Sequence, residues 1–259
     1  MKSDRDKVKR RYDAIAADED RHEKSLTLRT EIPREFIKKY LRKTDVVLDA
    51  GGGTGINAIM MAKRSSHVTL LDISPGILRH ATTNVANARL AMKIDICEGD
   101  ICNLERFGDG QFSFVVCVGD AISYVLDDRF KAMKELVRVA KRGSVLIIGC
   151  DSKFGFMALS LRAGDLDEAI RINRTQQTHC GMGPKTHVYD ITEMKRLLEK
   201  NGCKVLEIAS TPTVADTVDQ GLFREPKEWA KLKKLEMEIC TKPELLGIGN
   251  HLLFIAKKV

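Results

Sequence analysis

The sequence lacks any apolar run of the roughly 18 residues that a membrane-spanning helix requires. Its first twenty residues are charged throughout, so they also lack the apolar stretch of a secretory signal. These two absences predict a protein that has no membrane partner and is located in the cytoplasm.

Paired cysteines are also missing. The seven cysteines are an odd number, they are widely scattered, and no two of them form a Cys-x-x-Cys pair. A structural zinc site normally draws on such pairs, whereas isolated cysteines in apolar runs pack as small hydrophobic side chains. We therefore expect reduced thiols and no bound metal.

The charge composition excludes few classes of binding partner. Lysine and arginine total 43 against 36 acidic residues, which leaves a formal charge of +7. A basic balance of this size tolerates a polyanionic partner without requiring one. Because the basic residues are mostly interleaved with acidic ones, solvated helix faces are the simpler interpretation.

Apolar strand patterns alternate with helical patterns along most of the chain, which is typical of a parallel sheet with helices on both faces. The predicted strands are 46–50, 68–72, 93–98, 112–118, 144–150, 205–210 and 251–256, and the predicted helices are 3–18, 27–42, 57–63, 75–88, 127–139 and 192–201. Residues 152–190 and 212–250 interrupt this rhythm. We interpret them as insertions at the loop ends of the sheet, where such segments commonly cover an active site.

A glycine-rich turn follows the first predicted strand, in the segment VVLDAGGGTG of residues 46–55. Glycine at positions 51, 53 and 55 lets the backbone turn tightly and approach a nucleotide ligand without a Cβ in the way. Asp49 stands just before the glycines, where it would repel a pyrophosphate but attract a cationic amino-acid group. This arrangement favours S-adenosylmethionine over a dinucleotide.

Two further carboxylates follow at the ends of the next strands. Asp72 lies 17 residues beyond Gly55, where a carboxylate can accept hydrogen bonds from both ribose hydroxyls, and Ile73 follows it. Asp100 ends the third strand, where it can accept a hydrogen bond from an adenine amine while Ile101 packs on the ring.

With these residues, the chain from about position 12 to 256 resembles the class I S-adenosylmethionine-dependent methyltransferases, and within them the small-molecule branch that includes the ubiquinone and menaquinone biosynthesis enzymes. The resemblance implies a Rossmann-like, doubly wound α/β fold with seven strands, the last one antiparallel. It also implies one domain over 1–259, with 1–42 as a helical lid, 43–151 as the cofactor-binding half, and 152–190 and 212–250 as cap insertions.

The resemblance assigns candidate residues at both ends of the site. Tyr12 matches a tyrosine of the N-terminal helix that closes over the methionine moiety, although packing of that helix would explain it equally. After the fourth strand, Gly119 lies beside the transferred methyl group. Asp120 either orients the acceptor, acts as a base, or caps the next helix, and Tyr124 contacts the acceptor.

The segment 178–190 supplies the remaining candidates. The resemblance places His187 and Tyr189 against the acceptor, with His187 as a second catalytic candidate. The neighbouring His179 and Cys180 lack cysteine partners at a useful spacing, so a thiol-based metal site is not expected.

The sequence does not identify the methyl acceptor. The sequence lacks the Asn/Asp-Pro-Pro-Tyr tetrapeptide of enzymes that methylate nucleobase amines, which favours a small-molecule acceptor. An RNA-modifying enzyme is the first alternative, because of the +7 charge. A cofactor-binding regulatory protein without turnover is the second. The oligomeric state is not predicted.

Overall fold

A computed structural model describes residues 4–25, 27–179 and 183–259 of the chain. Its centre is a seven-stranded sheet in the order β3-β2-β1-β4-β5-β9-β8, in which β9 runs antiparallel to both neighbours and the other pairs are parallel. The strands are β1 (Val46–Ala50), β2 (His67–Asp72), β3 (Ile94–Glu98), β4 (Phe112–Cys117), β5 (Ala140–Asp151), β8 (Cys203–Ser210) and β9 (His251–Lys258). The predicted Rossmann-like fold with an antiparallel last strand is confirmed.

Helices cover both faces of this sheet. One apolar core joins the sheet to α6 and α9 through Leu136 and Leu197, and the other joins it to α2 and α3 through Ile32 and Met61. The helices are α1 (Asp4–Lys24), α2 (Leu28–Tyr40), α3 (Ile56–Ala62), α4 (Pro75–Asn87), α5 (Ala121–Tyr124), α6 (Arg129–Val139), α7 (Lys153–Arg162), α8 (Leu166–Thr175), α9 (Ile191–Lys200) and α10 (Pro226–Ile239).

Local capping explains where several helices begin. Ser74 precedes Pro75 at the start of α4, and its hydroxyl accepts a hydrogen bond from the nitrogen of Ile77 at 3.1 Å. In α9 the cap is Asp190, whose carboxylate accepts from the nitrogen of Glu193 at 2.8 Å. The helix predicted over 192–201 therefore begins one residue earlier, at Ile191, with Asp190 and not Thr192 as its cap.

The two insertions differ in what they do. Residues 152–190 contain α7, α8 and a small hairpin of β6 (Gln177–His179) and β7 (Lys185–His187). Residues 212–250 contain α10 and short 3-10 turns, and α10 packs against α2. Lys233 of α10 donates hydrogen bonds to Glu31 and Glu35 of α2 at 2.8 and 2.7 Å, which fixes the position of that helix.

Within the three described ranges, no helix combines the length and apolar character that crossing a membrane demands.

Candidate functional site

A cavity of about 410 Å³ lies at the carboxyl ends of the parallel strands, beneath α1 and α2. This edge of an open α/β sheet is where ligands of such folds bind, because the loops leave the strands there in diverging directions. The cavity has a glycine-rich end beside β1 and β2, and a far end between β4, β5 and β9.

The glycine-rich loop forms the floor of the first end. The nitrogens of Gly51 and Gly52 both donate to the carbonyl oxygen of Leu71, at 2.7 and 3.1 Å, which holds the loop against β2. Gly51 has a φ of +72°, and a Cβ there would lie 2.6 Å from Cβ of Ala121. Glycine is therefore required at this position for both conformation and space.

Asp72 lines the same end and is fixed by backbone donors. Its carboxylate accepts hydrogen bonds from the nitrogens of Gly53 at 3.1 Å and Ser74 at 2.9 Å. Burial raises the pKa of Asp72, and these bonds oppose the rise. The carboxylate is thus held in one orientation at the end of β2, with cavity space beside it.

Asp49 lies one layer behind the loop. It does not line the cavity, but its Oδ2 atom would be 3.0 Å from a Cβ on Gly52, which does. Burial, together with the charges of Glu23 and Asp72, raises the pKa of Asp49 to about 8. Oδ2 is buried and has no hydrogen-bond partner among the residues that the structure describes, a costly arrangement that a nearby cation would relieve.

A fourth carboxyl comes from α1. Glu23 accepts hydrogen bonds from the nitrogen and the hydroxyl of Thr54, at 3.1 and 2.8 Å. Burial raises its pKa to about 7, and the charges of Glu19 and Asp72 add to the rise. Glu19 also lines this end, so Glu19, Glu23 and Asp72 share the walls near the loop with Arg34, whose Nη2 donates to the carbonyl oxygen of Glu23 at 2.9 Å.

Asp100 and Ile101 border the cavity after β3. Oδ1 of Asp100 accepts a hydrogen bond from the nitrogen of Cys102 at 2.8 Å, and Oδ2 lies 2.9 Å from Nη1 of Arg5 on α1. Ile101 presents an apolar side chain beside it. Arg5 also pairs with Asp128, and these contacts tie the beginning of the lid helix to the sheet.

Four charged residues surround the far end, and we call them the far-end cluster: Arg29, Asp120, Asp151 and His251. Nε2 of His251 lies 3.2 Å from Oδ2 of Asp120 and 3.3 Å from Oδ1 of Asp151. Arg29 of α2 forms an ion pair with the same Oδ2 of Asp120. Thr186 of β7 donates to Oδ2 of Asp151 at 2.6 Å.

The electrostatics of this cluster are coupled. Burial alone would raise the pKa of Asp120, but the charges of His251 and Arg29 lower it well below its usual range. Burial and Arg29 lower the pKa of His251, yet the two carboxylates outweigh them and raise it to about 9. Burial and Asp120 raise the pKa of Asp151. At neutral pH the cluster therefore holds two cations and at least one carboxylate.

Tyr12 and Tyr124 pack edge to face between the two ends, with ring centroids 5.8 Å apart. Both line the cavity, and burial raises the pKa of Tyr12. They form an apolar wall at the place where the two ends of the cavity meet.

Comparison with known proteins agrees with this geometry. Residues 47–143, which run from β1 into β5, match the family described as methyltransferase domain. Over these residues the chain is similar to a methyltransferase domain. The match and the fold imply S-adenosylmethionine as its cofactor.

Individual relatives and solved structures extend this similarity. The chain is 25% identical over 160 residues to YqeM of Bacillus subtilis, covering 61% of this chain and 63% of that one. It is 29% identical over 114 residues to the glycine N-methyltransferase of Rattus norvegicus, covering 39% of each chain. It thus spans less than two thirds of the curated relatives named here.

Among solved structures, an S-adenosylmethionine-dependent methyltransferase from Methanosarcina mazei has a TM-score of 0.62 at 21% identity, covering 86% of this chain and 97% of that one. A chain of the complex that contains the Haloferax volcanii Trm112 methyltransferase activator has a TM-score of 0.68 at 16% identity, covering 97% of each. At such low identity these likenesses establish the fold.

The glycine-rich end of the cavity fits S-adenosylmethionine. The cofactor carries a sulfonium and an ammonium group, and the walls of this end supply carboxyls from Asp72, Glu19 and Glu23, with Asp49 behind them. The buried Oδ2 of Asp49, which has no partner among the described residues, is compatible with a positively charged group nearby. Glycine at positions 51 and 53 lets the loop pack closely against Ala121 and Glu23, where a Cβ would collide.

The structure gathers most of the predicted site residues around one cavity. Its walls include Tyr12, Gly51, Gly53, Asp72, Ile73, Asp100, Ile101, Gly119, Asp120 and Tyr124. Their roles stay predictions, but their convergence does not contradict them. Asp49 and Gly55 lie behind the walls. Gly55 precedes α3 with a φ of +83°, so its contribution is to the turn.

Two predicted acceptor contacts lie elsewhere. His187 is buried, with Nε2 between the two carboxylate oxygens of Glu193 at 2.9 and 3.1 Å. Tyr189 is also buried and donates its hydroxyl hydrogen to the carbonyl oxygen of Ile122 at 3.0 Å. Neither lines the cavity, because His187 at the end of β7 and Tyr189, which forms a bridge with Ser152, both turn their side chains into the core. This location favours a structural role for both.

The two predicted cap insertions, 152–190 and 212–250, also contribute less to the cavity walls than expected. The cavity walls include Gly183 and Pro184 from the first insertion, and no residue of 212–250, a segment described throughout. Cys180, the one cysteine considered for a thiol site, lies outside the described residues. The N-terminal helices supply much of the remaining enclosure.

Sequence reasoning missed Arg29, His251 and Asp151, as well as Glu23. Arg29 and Glu23 lie on amphipathic helices, where a charge normally indicates a solvated face. Asp151 and His251 stand at the end of β5 and the start of β9, which are paired partners in the sheet. A polar residue at the end of an apolar strand is the sequence signal that could have indicated Asp151 and His251. The sequence prediction applied that signal only to strands earlier in the chain.

Asp120, Asp151 and His251 also hold their ligand-type atoms within 4.8 Å of one another, as a metal site requires. Arg29 and the protonated His251 already supply the positive charge that two carboxylates need. We therefore interpret the cluster as a charge network.

Proposed function

We propose that the chain transfers the methyl group of S-adenosylmethionine to a small molecule bound at the far end of the cavity. The observation that carries this proposal is one cavity with two chemically different ends. The glycine-rich end has the carboxyls and the space for the cofactor, and the far end presents the buried charges of Arg29, Asp120 and His251.

The cofactor supplies an activated methyl group: its S–CH3 bond breaks as a lone pair of the acceptor forms the new bond to carbon, and the sulfur keeps the electron pair as a neutral thioether. The protein must therefore orient both partners and exclude water. Asp72 and Asp100 would hold the ribose and the adenine. Tyr12 and Tyr124 would close the apolar passage through which the methyl group moves.

Asp120 and His251 would orient the acceptor. Because the pKa of Asp120 is lowered, its carboxylate stays ionised and is a weak base. Because the pKa of His251 is raised to about 9, its imidazole is already protonated at neutral pH. This pair suits an acceptor that releases its proton to water after transfer, or that arrives already deprotonated, better than one that needs a strong base.

A small-molecule acceptor is favoured over RNA by the enclosed far end, which lies under α2. Kinship with the branch that includes the ubiquinone and menaquinone enzymes is part of the same proposal. It rests on the residues Asp49, Asp72 and Asp100 and on the similar strand order.

The proposal is tested first by calorimetry with S-adenosylhomocysteine. We expect 1:1 binding to the wild type and at least about tenfold weaker binding to Asp72→Ala, since hydrogen bonds to a charged group are worth about 1.5–3 kcal/mol. Asp95→Ala is the matched control, because Asp95 is an exposed carboxylate on β3 that pairs with His67. Unchanged affinity in Asp72→Ala would refute the ribose role.

Turnover is tested by incubation with methyl-labelled S-adenosylmethionine, a metabolite extract and total RNA. Label in a small product supports the proposal. Label in RNA favours the RNA-modifying alternative, and binding without any transfer favours the regulatory one.

A further inference from the structure

Arg29 holds an unusual position for a surface-helix arginine. It projects from α2 into the cavity wall and pairs with Asp120 through a single nitrogen, Nη2. Within the parts of the chain that the structure describes, its guanidinium has no other hydrogen bond or ion pair. A guanidinium carries five N–H donors, so most of them are left for a ligand.

The Arg29 side chain is accessible to solvent, in addition to having only one described partner. Of the Arg29 side chain, 41% is exposed, compared with 5% for Asp120 and 12% for His251. Arg29 lines the cavity, and its partner Asp120 is far more deeply buried. Arg29 is therefore the most accessible member of the far-end cluster for a ligand in the cavity.

The charge of the far-end cluster is suited to an anion. Arg29 and His251 are both cationic at neutral pH, and Asp120 is ionised between them. Burial and the charge of Asp120 raise the pKa of Asp151, the remaining carboxyl, whereas His251 and Thr186 oppose the rise. When Asp151 holds its proton, the cluster has a net positive charge that a single anionic group would balance.

The other walls of the far end restrict what carries that anion. Val118, Leu252 and Leu253 are apolar and nearly buried, and Pro33 of α2 faces them across the cavity. An acceptor that combines a planar oxyanion with an apolar body would be complementary to both the cationic and the apolar walls of the far end. A guanidinium matches a carboxylate in particular, because its two parallel N–H groups meet the two oxygens.

We propose that Arg29 recognises a carboxylate group of the methyl acceptor, so that the acceptor is a small carboxylate-bearing molecule. This inference rests on the proposed function and deepens it by naming the chemical class of the substrate. In it, Arg29 is a binding residue for the acceptor, and the ion pair with Asp120 sets the direction of the guanidinium.

The test measures binding of simple probes to protein saturated with S-adenosylhomocysteine. The probes are matched pairs that differ in the carboxylate: benzoate with benzamide, and glycine with glycinamide. Inorganic phosphate is added as a competing oxyanion. Binding is followed by ligand-detected NMR and calorimetry, so that no turnover is required.

Three variants accompany the wild type. Arg29→Gln removes the charge and the fork of donors, and Arg29→Lys keeps only the charge. Arg79→Gln is the matched control, because Arg79 is exposed on α4, does not line the cavity, and has no ion pair with a described residue. Melting temperatures and binding of S-adenosylhomocysteine show whether each variant is folded.

We expect at least one carboxylate to bind the wild type and Arg79→Gln alike, and to bind Arg29→Gln at least about tenfold more weakly, with Arg29→Lys in between. Benzamide and glycinamide should not displace the bound carboxylate. Equal binding of carboxylate and amide, unchanged binding in Arg29→Gln, or tighter binding of phosphate than of every carboxylate would overturn the inference.

Failure of the inference and failure of the proposed function are distinguishable. If S-adenosylhomocysteine binds but no carboxylate does, the acceptor class is wrong and the proposed methyltransferase function stands. If S-adenosylhomocysteine itself does not bind, the proposed function fails, and the inference fails with it.

Discussion

Glu23 of α1 accepts two hydrogen bonds from Thr54, one from its backbone nitrogen and one from its hydroxyl. A carboxyl from the N-terminal helix thus lies on the glycine-rich loop itself. Helix α1 and the loop are therefore one structural unit, and changes in the loop should affect α1.

Gly53 is the position where this unit is most sensitive. A Cβ there would lie 2.0 Å from Oε1 of Glu23, and the residue has a φ of +56°. Gly53→Ala should destabilise the protein by about 1–3 kcal/mol and weaken cofactor binding, because it combines backbone strain with displacement of Glu23. Denaturant titration and calorimetry measure the two effects.

Gly108→Ala is the control, since a Cβ at Gly108 meets nothing within 4 Å and its φ is not in the left-handed region. If Gly53→Ala matched Gly108→Ala in both measurements, the close approach of Glu23 to the loop would not exist in solution.

Cofactor binding should release protons at neutral pH. In the cofactor-free protein the pKa of Asp49 is about 8 and that of Glu23 about 7, both raised by burial, so both carboxyls hold a proton for much of the time at pH 7. A bound cation favours their ionised forms and lowers both pKa values. The affinity for S-adenosylmethionine should therefore rise between pH 6 and pH 8.

Calorimetry at pH 7 in buffers of different ionisation enthalpy counts these protons directly. The Asp49→Asn variant should release fewer protons when the cofactor binds. Its free energy of unfolding without cofactor should also exceed that of the wild type at pH 8, by about 1–3 kcal/mol, but not at pH 5. The sign follows because a raised carboxyl pKa makes the folded state lose stability as pH rises from about 4 to 8. Heats independent of the buffer would contradict the prediction.

Asp120→Asn tests the far-end cluster. Asp120 has a φ of +69°, a conformation that asparagine tolerates well, so the backbone should be retained. We expect turnover to fall by about tenfold or more with little change in cofactor affinity, because the acceptor and not the cofactor is oriented there. Equal losses in both would indicate a structural role for Asp120.

The same variant should lower the pKa of His251, which NMR titration of the imidazole measures directly. In the wild type the raised pKa means that His251 contributes stability that is complete below about pH 6.5 and is lost as pH rises through about 9. Asp120→Asn should reduce that loss. A His251 that titrates at the same pH in both proteins would show that the two side chains do not interact.

The succession of strands and helices and the cofactor end were predictable because they depend on local patterns. Apolar strands that end in glycine or aspartate mark the carboxyl edge of a parallel sheet, and this reasoning located Gly51, Asp72 and Asp100. Their side chains converge because neighbouring parallel strands end at the same edge.

The family resemblance, and not the strand pattern, placed His187 and Tyr189 against the acceptor, and the structure locates both away from the cavity. Their hairpin and the packing of α9 decide which way the side chains point, and a spacing in the sequence carries no information about that direction. Both side chains turn into the core and find their partners there.

Local patterns in the chain were sufficient to predict the fold class, the glycine-rich turn and the carboxylates that follow successive strands, since each depends on residues close together in the chain. The far end could not be predicted in this way. Arg29, Asp120, Asp151 and His251 come from α2, the loop after β4, β5 and β9, and pairing between β5 and β9 together with docking of α2 brings them into contact. Such a juxtaposition depends on packing between distant segments, which no local pattern encodes.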